Sequence, residues 1–336
     1  MIILSSLLAG LSILTGATGA VLPKPCPDEP YVGYLLSTFT DPDPRVFWHL
    51  SNASDPLGFA PLNGGEPVLG STVGTEAVRD IFLTANADRS EYFIVATDLD
   101  INVPGFTWSS AVRWGSRGLV VWRSTNLVDW SEPVLSIIEA PEAGMAWAPS
   151  VIFNSTENQF YIFWASRLYS PTDTNHTGSP TGLNRIRYAT TADFTTFSAP
   201  ADYHALDTES IPLIDQEFLY LGEPGHYARF FKDETVAWVY EEISTSGIFG
   251  EWERVPGYVV ESVYEGPAAF ADVNVPGRYY LLLDNYGEYD AWQTDSIEAP
   301  GSWARAEREL PGGLKHGNVF PITQMEWDGI VERFGV

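Results

Sequence analysis

The chain has 336 residues, 45% of them hydrophobic and 14% aromatic, and a formal net charge of −26 at pH 7. That charge opposes encounters with nucleic acid, anionic membrane surfaces and phosphorylated substrates, and leaves a neutral ligand as the natural partner. Cys26 is the single cysteine, so no intrachain disulfide can form and packing must hold the fold.

Residues 1–20, MIILSSLLAGLSILTGATGA, are apolar, carry no charge and end in small residues. This is the pattern of a secretory signal cleaved near Ala20. No later stretch approaches the ~18 apolar residues of a membrane span. Residues 21–336 are therefore expected to be a soluble, extracellular, single-domain protein, and a monomer. Asn52, Asn154 and Asn175 each open a sequon and are candidate glycosylation sites on that route.

From Tyr31 onward, short runs rich in Val, Ile, Phe, Tyr and Trp follow one another between Gly, Pro, Asn and Asp clusters. EYFIVATDL, GLVVWRS, QFYIFWAS, VAWVYEE and RYYLLLDN are examples. They read as strands of an all-β chain, without a long amphipathic helix, heptads or a low-complexity linker.

Five of these segments end in an aromatic after a polar turn, at Phe59, Trp130, Phe197, Trp252 and Trp303, with intervals of 51 to 71 residues. The spacing suits a four-stranded blade, and five repeats predict a five-bladed β-propeller. Each segment is followed 13 to 21 residues later by a polar or aromatic residue that opens a new apolar strand: Asp80, Trp147, Asp215, Glu265 and His316. If these strands are the innermost of their blades, residues up to 236 positions apart converge on one funnel.

Three carboxylates in one funnel repel one another, which raises at least one of their pKa values and holds a proton at working pH. Glycosidic bond cleavage needs that asymmetry, with one neutral acid to protonate the departing oxygen and one carboxylate to activate water or attack the sugar. Asp80, Asp215 and Glu265 supply these parts. His316 is placed to contact substrate, water or an ion on the axis, or to serve the fold alone. Trp147 can stack on a sugar face or form the funnel wall. Zinc-ligand spacing, a phosphate loop and a G-x-S-x-G elbow are all absent from the sequence.

In order along the chain, AVRDIFL, TDL, GSRGLVVWRSTNLVDWSE, WAPS, FWAS, RYATTADFTTFS, LIDQEFL, KDE, YEGPAAF and HGNVFPIT resemble glycoside hydrolase family 43. The resemblance runs from about Tyr31 to Thr323. It implies a five-bladed propeller and an inverting enzyme acting on arabinose- and xylose-containing plant polysaccharides. It further implies Asp80 as general base, Asp215 as the residue that tunes and positions the acid, and Glu265 as general acid. An inverting pair is expected about 6.5–9.5 Å apart. Trp147, His316 and Arg117 of the GSRG segment are candidate substrate-binding residues. No cofactor is required, and the family's axial histidine, here His316, admits a structural calcium nearby.

Three positions depart from the family pattern: Ile81 where proline is usual, Ser150 where an acid is usual, and Gln216 where Ser or Pro is common. The expected activity is removal of α-L-arabinofuranosyl units from arabinan or arabinoxylan. Endo-arabinanase, β-xylosidase and a sugar-binding propeller without catalysis stand as alternatives. A fructan-type hydrolase using Asp41 or Asp43 as nucleophile is another, although its Asn-Asp-Pro-Asn motif is missing.

Overall fold

A computed structural model describes residues 29–204 and 211–336. Residues 1–20, expected to be a secretory signal, and Cys26 lie outside the described residues.

Among the described residues, twenty strands form five four-stranded antiparallel sheets, the blades of a propeller. Blades II to V are continuous in sequence, and their innermost strands are Val78–Ala85, Trp147–Asn154, Leu213–Tyr220 and Glu265–Ala271. Blade I is closed by both ends of the fold. Its innermost strand, Asn318–Thr323, comes from the C-terminal end and pairs antiparallel with Tyr31–Thr38 from the N-terminal end. The aromatics that mark the sequence repeat sit where each blade's third strand turns into its outermost one. Trp130 and Phe197 make isolated bridges to Ser124 and Thr191 there.

The strands carry branched and aromatic residues on both faces because each sheet packs between two others. The inner-strand segment Trp147–Asn154 is buried along its whole length. Apolar clusters fill the spaces between neighbouring blades, as where Leu35, Trp48 and Ile322 of blade I meet Leu83, Ile94 and Trp122 of blade II. Ile81 is 1% exposed in that cluster, so it fills core volume.

Two helices complete the fold. Helix α1 (Trp108–Trp114) interrupts blade II between its second and third strands and is N-capped by Thr107, whose side chain accepts from Ser110 N. Helix α2 (Gln324–Phe334) follows the closing strand directly. Its Thr323/Glu326 capping box satisfies two backbone N–H groups. Glu326 also receives Arg89 bidentately at 2.6 and 2.8 Å and Tyr92 Oη at 2.5 Å, which ties the closing strand to blade II.

Candidate active site

Each inner strand of blades II to V begins with the same irregularity. In the pairs Arg79/Phe82, Trp147/Ser150, Ile214/Glu217 and Glu265/Ala268, three steps along the inner strand face two on its neighbour, which is a β-bulge with one extra residue. The residue after the first position is left-handed in all four: Asp80 (φ 52°), Ala148 (φ 50°), Asp215 (φ 54°) and Gly266 (φ 57°). Only Gly accepts this conformation freely, and for Asp80, Ala148 and Asp215 it stores strain of order 1–3 kcal/mol each. In blades II and IV both consecutive bulge residues, Arg79–Asp80 and Ile214–Asp215, line the funnel, whereas blades III and V contribute Trp147 and Glu265.

The bulge corrects one part of the sequence alignment. Glu265 occupies the register of Arg79, Trp147 and Ile214, and Gly266 is the counterpart of Asp80 and Asp215. Glycine is needed there for a second reason. A Cβ on Gly266 would lie 2.6 Å from the Cβ of His316.

The five residues that open these strands meet in a funnel of about 380 Å³, lined by Asp80, Trp147, Asp215, Glu265 and His316. Arg117 does not line it. It precedes the third strand of blade II, where its carbonyl accepts from Ile138 N and Glu139 N, so proximity in sequence to the family motif did not place it near the axis. The far end of the axis is a chamber of about 160 Å³ with mostly apolar walls and one carboxyl, Glu217, which burial pushes well above the usual carboxylate range. A lone neutral acid cannot supply the acid–base pair that the funnel has.

Each funnel carboxyl has a different partner. Asp80 Oδ2 accepts from Thr97 Oγ1 at 2.7 Å, and Oδ1 lies 3.3 Å from His316 Nδ1. Thr97 Oγ1 also accepts from Ala148 N at 2.8 Å, so the bulges of blades II and III fix its hydroxyl toward Asp80. Burial works to raise the Asp80 carboxyl. The hydrogen bond and charge of His316, with Arg79 and Thr97, outweigh it and hold Asp80 below the usual range. Burial likewise works against a charged His316, but the Asp80 hydrogen bond and the charges of Asp215, Asp80 and Glu265 lift the imidazole to about 9.

Asp215 is 6% exposed and accepts from Gly266 N at 3.2 Å. Burial dominates there and, with Glu265 and Asp80, overcomes the charges of His316 and Lys232, raising the carboxyl to about 7. Glu265 Oε2 is 2.5 Å from Lys232 Nζ, which also lies 5.3 Å from the centre of the Tyr286 ring. Burial works against the lysine's charge, but Glu265 and Asp215 hold Lys232 well above its ordinary range. Tyr286 is non-glycine at φ 69°, a strained turn at the funnel wall.

A second ion-pair chain links blades II, I and V. Arg79 Nη1 donates to Asp41 Oδ1 at 2.7 Å, and Lys315 Nζ lies 3.1 Å from Asp284 Oδ1 and 3.7 Å from Asp41 Oδ2. Asp41, considered above as a nucleophile, is thus held between two cations. Asp43 pairs instead with Arg45 and is absent from the funnel lining.

Trp147 is 8% exposed and meets Trp108 of α1 edge-on, with ring centroids 5.9 Å apart. Trp147 is wall. Trp108, 52% exposed, and Tyr286, 47% exposed, are exposed aromatics that line the funnel, and the place of Trp108 on a helical insertion gave the strand repeat nothing to detect. Lys232 and Lys315 were likewise missed as site residues, although KDE contains the first and the second directly precedes HGNVFPIT.

The axial calcium fits poorly. His316 Nδ1 is turned to Asp80, and among the described residues no group of three or more His, Cys, Asp or Glu could hold a metal ion. Ser150 and Gln216 are buried, and their side-chain polar atoms have no hydrogen-bond partner among the described residues. Asn52 and Asn175 are exposed, whereas Asn154 is 4% exposed with Oδ1 accepting from Thr156 N and Glu157 N.

A propeller whose axial funnel gathers a carboxyl held below the usual range, one raised by burial and one paired with a lysine has the parts of a glycosidase. Residues 29–328 match the family-43-related glycosyl hydrolase family, described as "Probable glycosyl hydrolase domain", and the chain belongs to that family. It is 28% identical over 241 residues to an α-L-arabinofuranosidase of Bifidobacterium longum subsp. longum, a match covering 68% of this chain and 22% of that protein. The chain thus spans about a fifth of that relative. The catalytic domain of the family 62 α-L-arabinofuranosidase of Coprinopsis cinerea has the same fold, with a TM-score of 0.51 at 14% identity over 74% of this chain and 75% of that one.

Proposed function

We propose that the protein is an exported α-L-arabinofuranosidase that removes arabinofuranosyl units from arabinan or arabinoxylan with inversion at the anomeric carbon. The observation that carries the reading is the unequal environment of the funnel carboxyls. Asp80 is held below the usual carboxylate range by His316, Arg79 and Thr97, as suits a base, while burial lifts Asp215 to about 7.

Asp80 takes a proton from water as that water attacks the anomeric carbon. On the opposite face of the sugar, Glu265 gives a proton to the departing oxygen. Asp215 tunes and positions the acid through Gly266 N, the residue next to Glu265. Trp108 offers a ring face for the sugar beyond the cleaved bond. Similarity to the α-L-arabinofuranosidase of Bifidobacterium supports the choice of arabinofuranosyl over xylosyl or fructosyl groups. The salt-bridged Asp41 weighs against the fructan-type mechanism, because an attacking carboxylate would first have to leave two cations.

The test is incubation of purified protein with debranched arabinan, arabinoxylan, xylo-oligosaccharides and levan. Release of free arabinose from the first two supports the reading. Xylose, fructose or only long arabino-oligosaccharides would replace it by β-xylosidase, fructan hydrolase or endo-arabinanase, and binding without release by a sugar-binding propeller.

A further inference from the structure

Glu265 as acid raises a difficulty that the geometry itself resolves. A lysine in contact with a carboxyl favours the carboxylate, and Lys232 Nζ lies 2.5 Å from Glu265 Oε2 with its side chain 9% exposed. Asp80 has its own cation in His316. Asp215 is the most buried of the three, and among the described residues its one hydrogen bond comes from a neutral peptide N–H, Gly266 N. A buried carboxylate without a contacting cation takes up a proton instead of remaining charged.

We infer that in the substrate-free enzyme the proton destined for the leaving group resides on Asp215, and that Lys232 is the positioning residue that governs its handover to Glu265. The inference rests on the glycosidase reading above. Lys232 stands on the second strand of blade IV, directly across from Ile214 and one residue from the Asp215 bulge, so it faces both carboxyls.

In the handover the proton leaves an Asp215 oxygen and binds a Glu265 oxygen, and the negative charge moves the other way. The Lys232 ammonium follows that charge, and the funnel's net charge is unchanged. The glycosidic oxygen then takes the proton from Glu265 as its bond to the anomeric carbon breaks, keeping the bonding electron pair. Water supplies the new bond and loses its proton to Asp80. Asp215 and Glu265 end as two carboxylates sharing Lys232 until solvent returns a proton.

The charged and titratable groups facing Glu265 come from every element around it. They are Lys232 and Asp215 of blade IV, Asp284 and Tyr286 after the second strand of blade V, and His316 before the closing strand. Asp284 is itself held by Lys315, which leaves Lys232 as the cation in contact with Glu265.

Infrared difference spectroscopy locates the proton without any substrate. Near pH 6 the wild-type-minus-Asp215→Asn difference spectrum should contain a neutral-carboxyl C=O band, set over the bands of Glu217 and Glu241 that both proteins share, and the double variant Asp215→Asn/Lys232→Met should show one against Asp215→Asn as Glu265 takes up the proton. A difference spectrum without that band, together with loss of a neutral-carboxyl band in Glu265→Gln, would place the proton on Glu265 and overturn the inference. Kinetics provide a second readout. Lys232→Met should move the alkaline limb of kcat/KM up by about one to three pH units, whereas Lys232→Arg leaves it in place. An unmoved limb in folded Lys232→Met would reduce the lysine to a structural role. Failure of the wild type to cleave any glycan would sink the glycosidase reading but leave the infrared result standing.

Discussion

Asp80 can act as a base only while it is ionised, and His316 and Thr97 together ensure that. Asp80→Asn removes the charge and almost no volume, so kcat should fall by about 10²–10⁴ while the melting temperature stays near the wild-type value. Wild-type turnover in a folded Asp80→Asn variant would remove the residue from the mechanism. His316 carries a stability signature as well. Its folded pKa of about 9 lies above the reference value of 6.5, so its contribution is complete below about 6.5 and is lost as pH rises through about 9. Melting curves between those limits should fall more steeply with pH for the wild type than for His316→Gln, and parallel curves would contradict the charged imidazole. The three acids and the histidine were legible in the sequence because each opens a repeat unit. Their partners were not. Arg79 and Asp41 are 38 positions apart and Lys232 and Glu265 are 33 apart, and no periodicity links them.

The repeated inner-strand bulge is the element that builds the site. It costs left-handed strain at Asp80, Ala148 and Asp215, and the sheets on either side hold it in place. Gly266→Ala puts a methyl group into His316 at a position with φ 57°, so activity should drop by at least tenfold (about 1.4 kcal/mol) even where the protein folds. Unchanged kinetics in that variant would mean the His316 contact is dispensable. Sequence spacing found the strands but could not see the bulge, and for that reason it set Glu265 in the same register as Asp80. A second element-scale prediction concerns closure. Glu326→Ala leaves Arg89 buried without its partner and should destabilise the protein by about 3–5 kcal/mol in urea titrations. A loss below about 1 kcal/mol would show that the closing strand does not depend on that ion pair.

For the whole molecule, the five-blade count and its order were readable because the turn before each outermost strand reuses an aromatic. The ring closure was only half readable, since the pairing of Asn318–Thr323 with Tyr31–Thr38 joins segments with no pattern in common. Helix α1 escaped notice for a physical reason. Seven residues are too few for a periodic signal, so its exposed Trp108 emerged only from the fold. The charge of −26 suits a catalyst of neutral glycans, and the funnel spends its buried cations on its own carboxylates. The measurement that bears most directly on this account is proton NMR of the first sugar released from arabinan by the wild type and by Glu265→Gln. The account predicts free arabinose from the wild type, appearing first as the β anomer, and none from the variant. The α anomer appearing first, or equal release from Glu265→Gln, would contradict it.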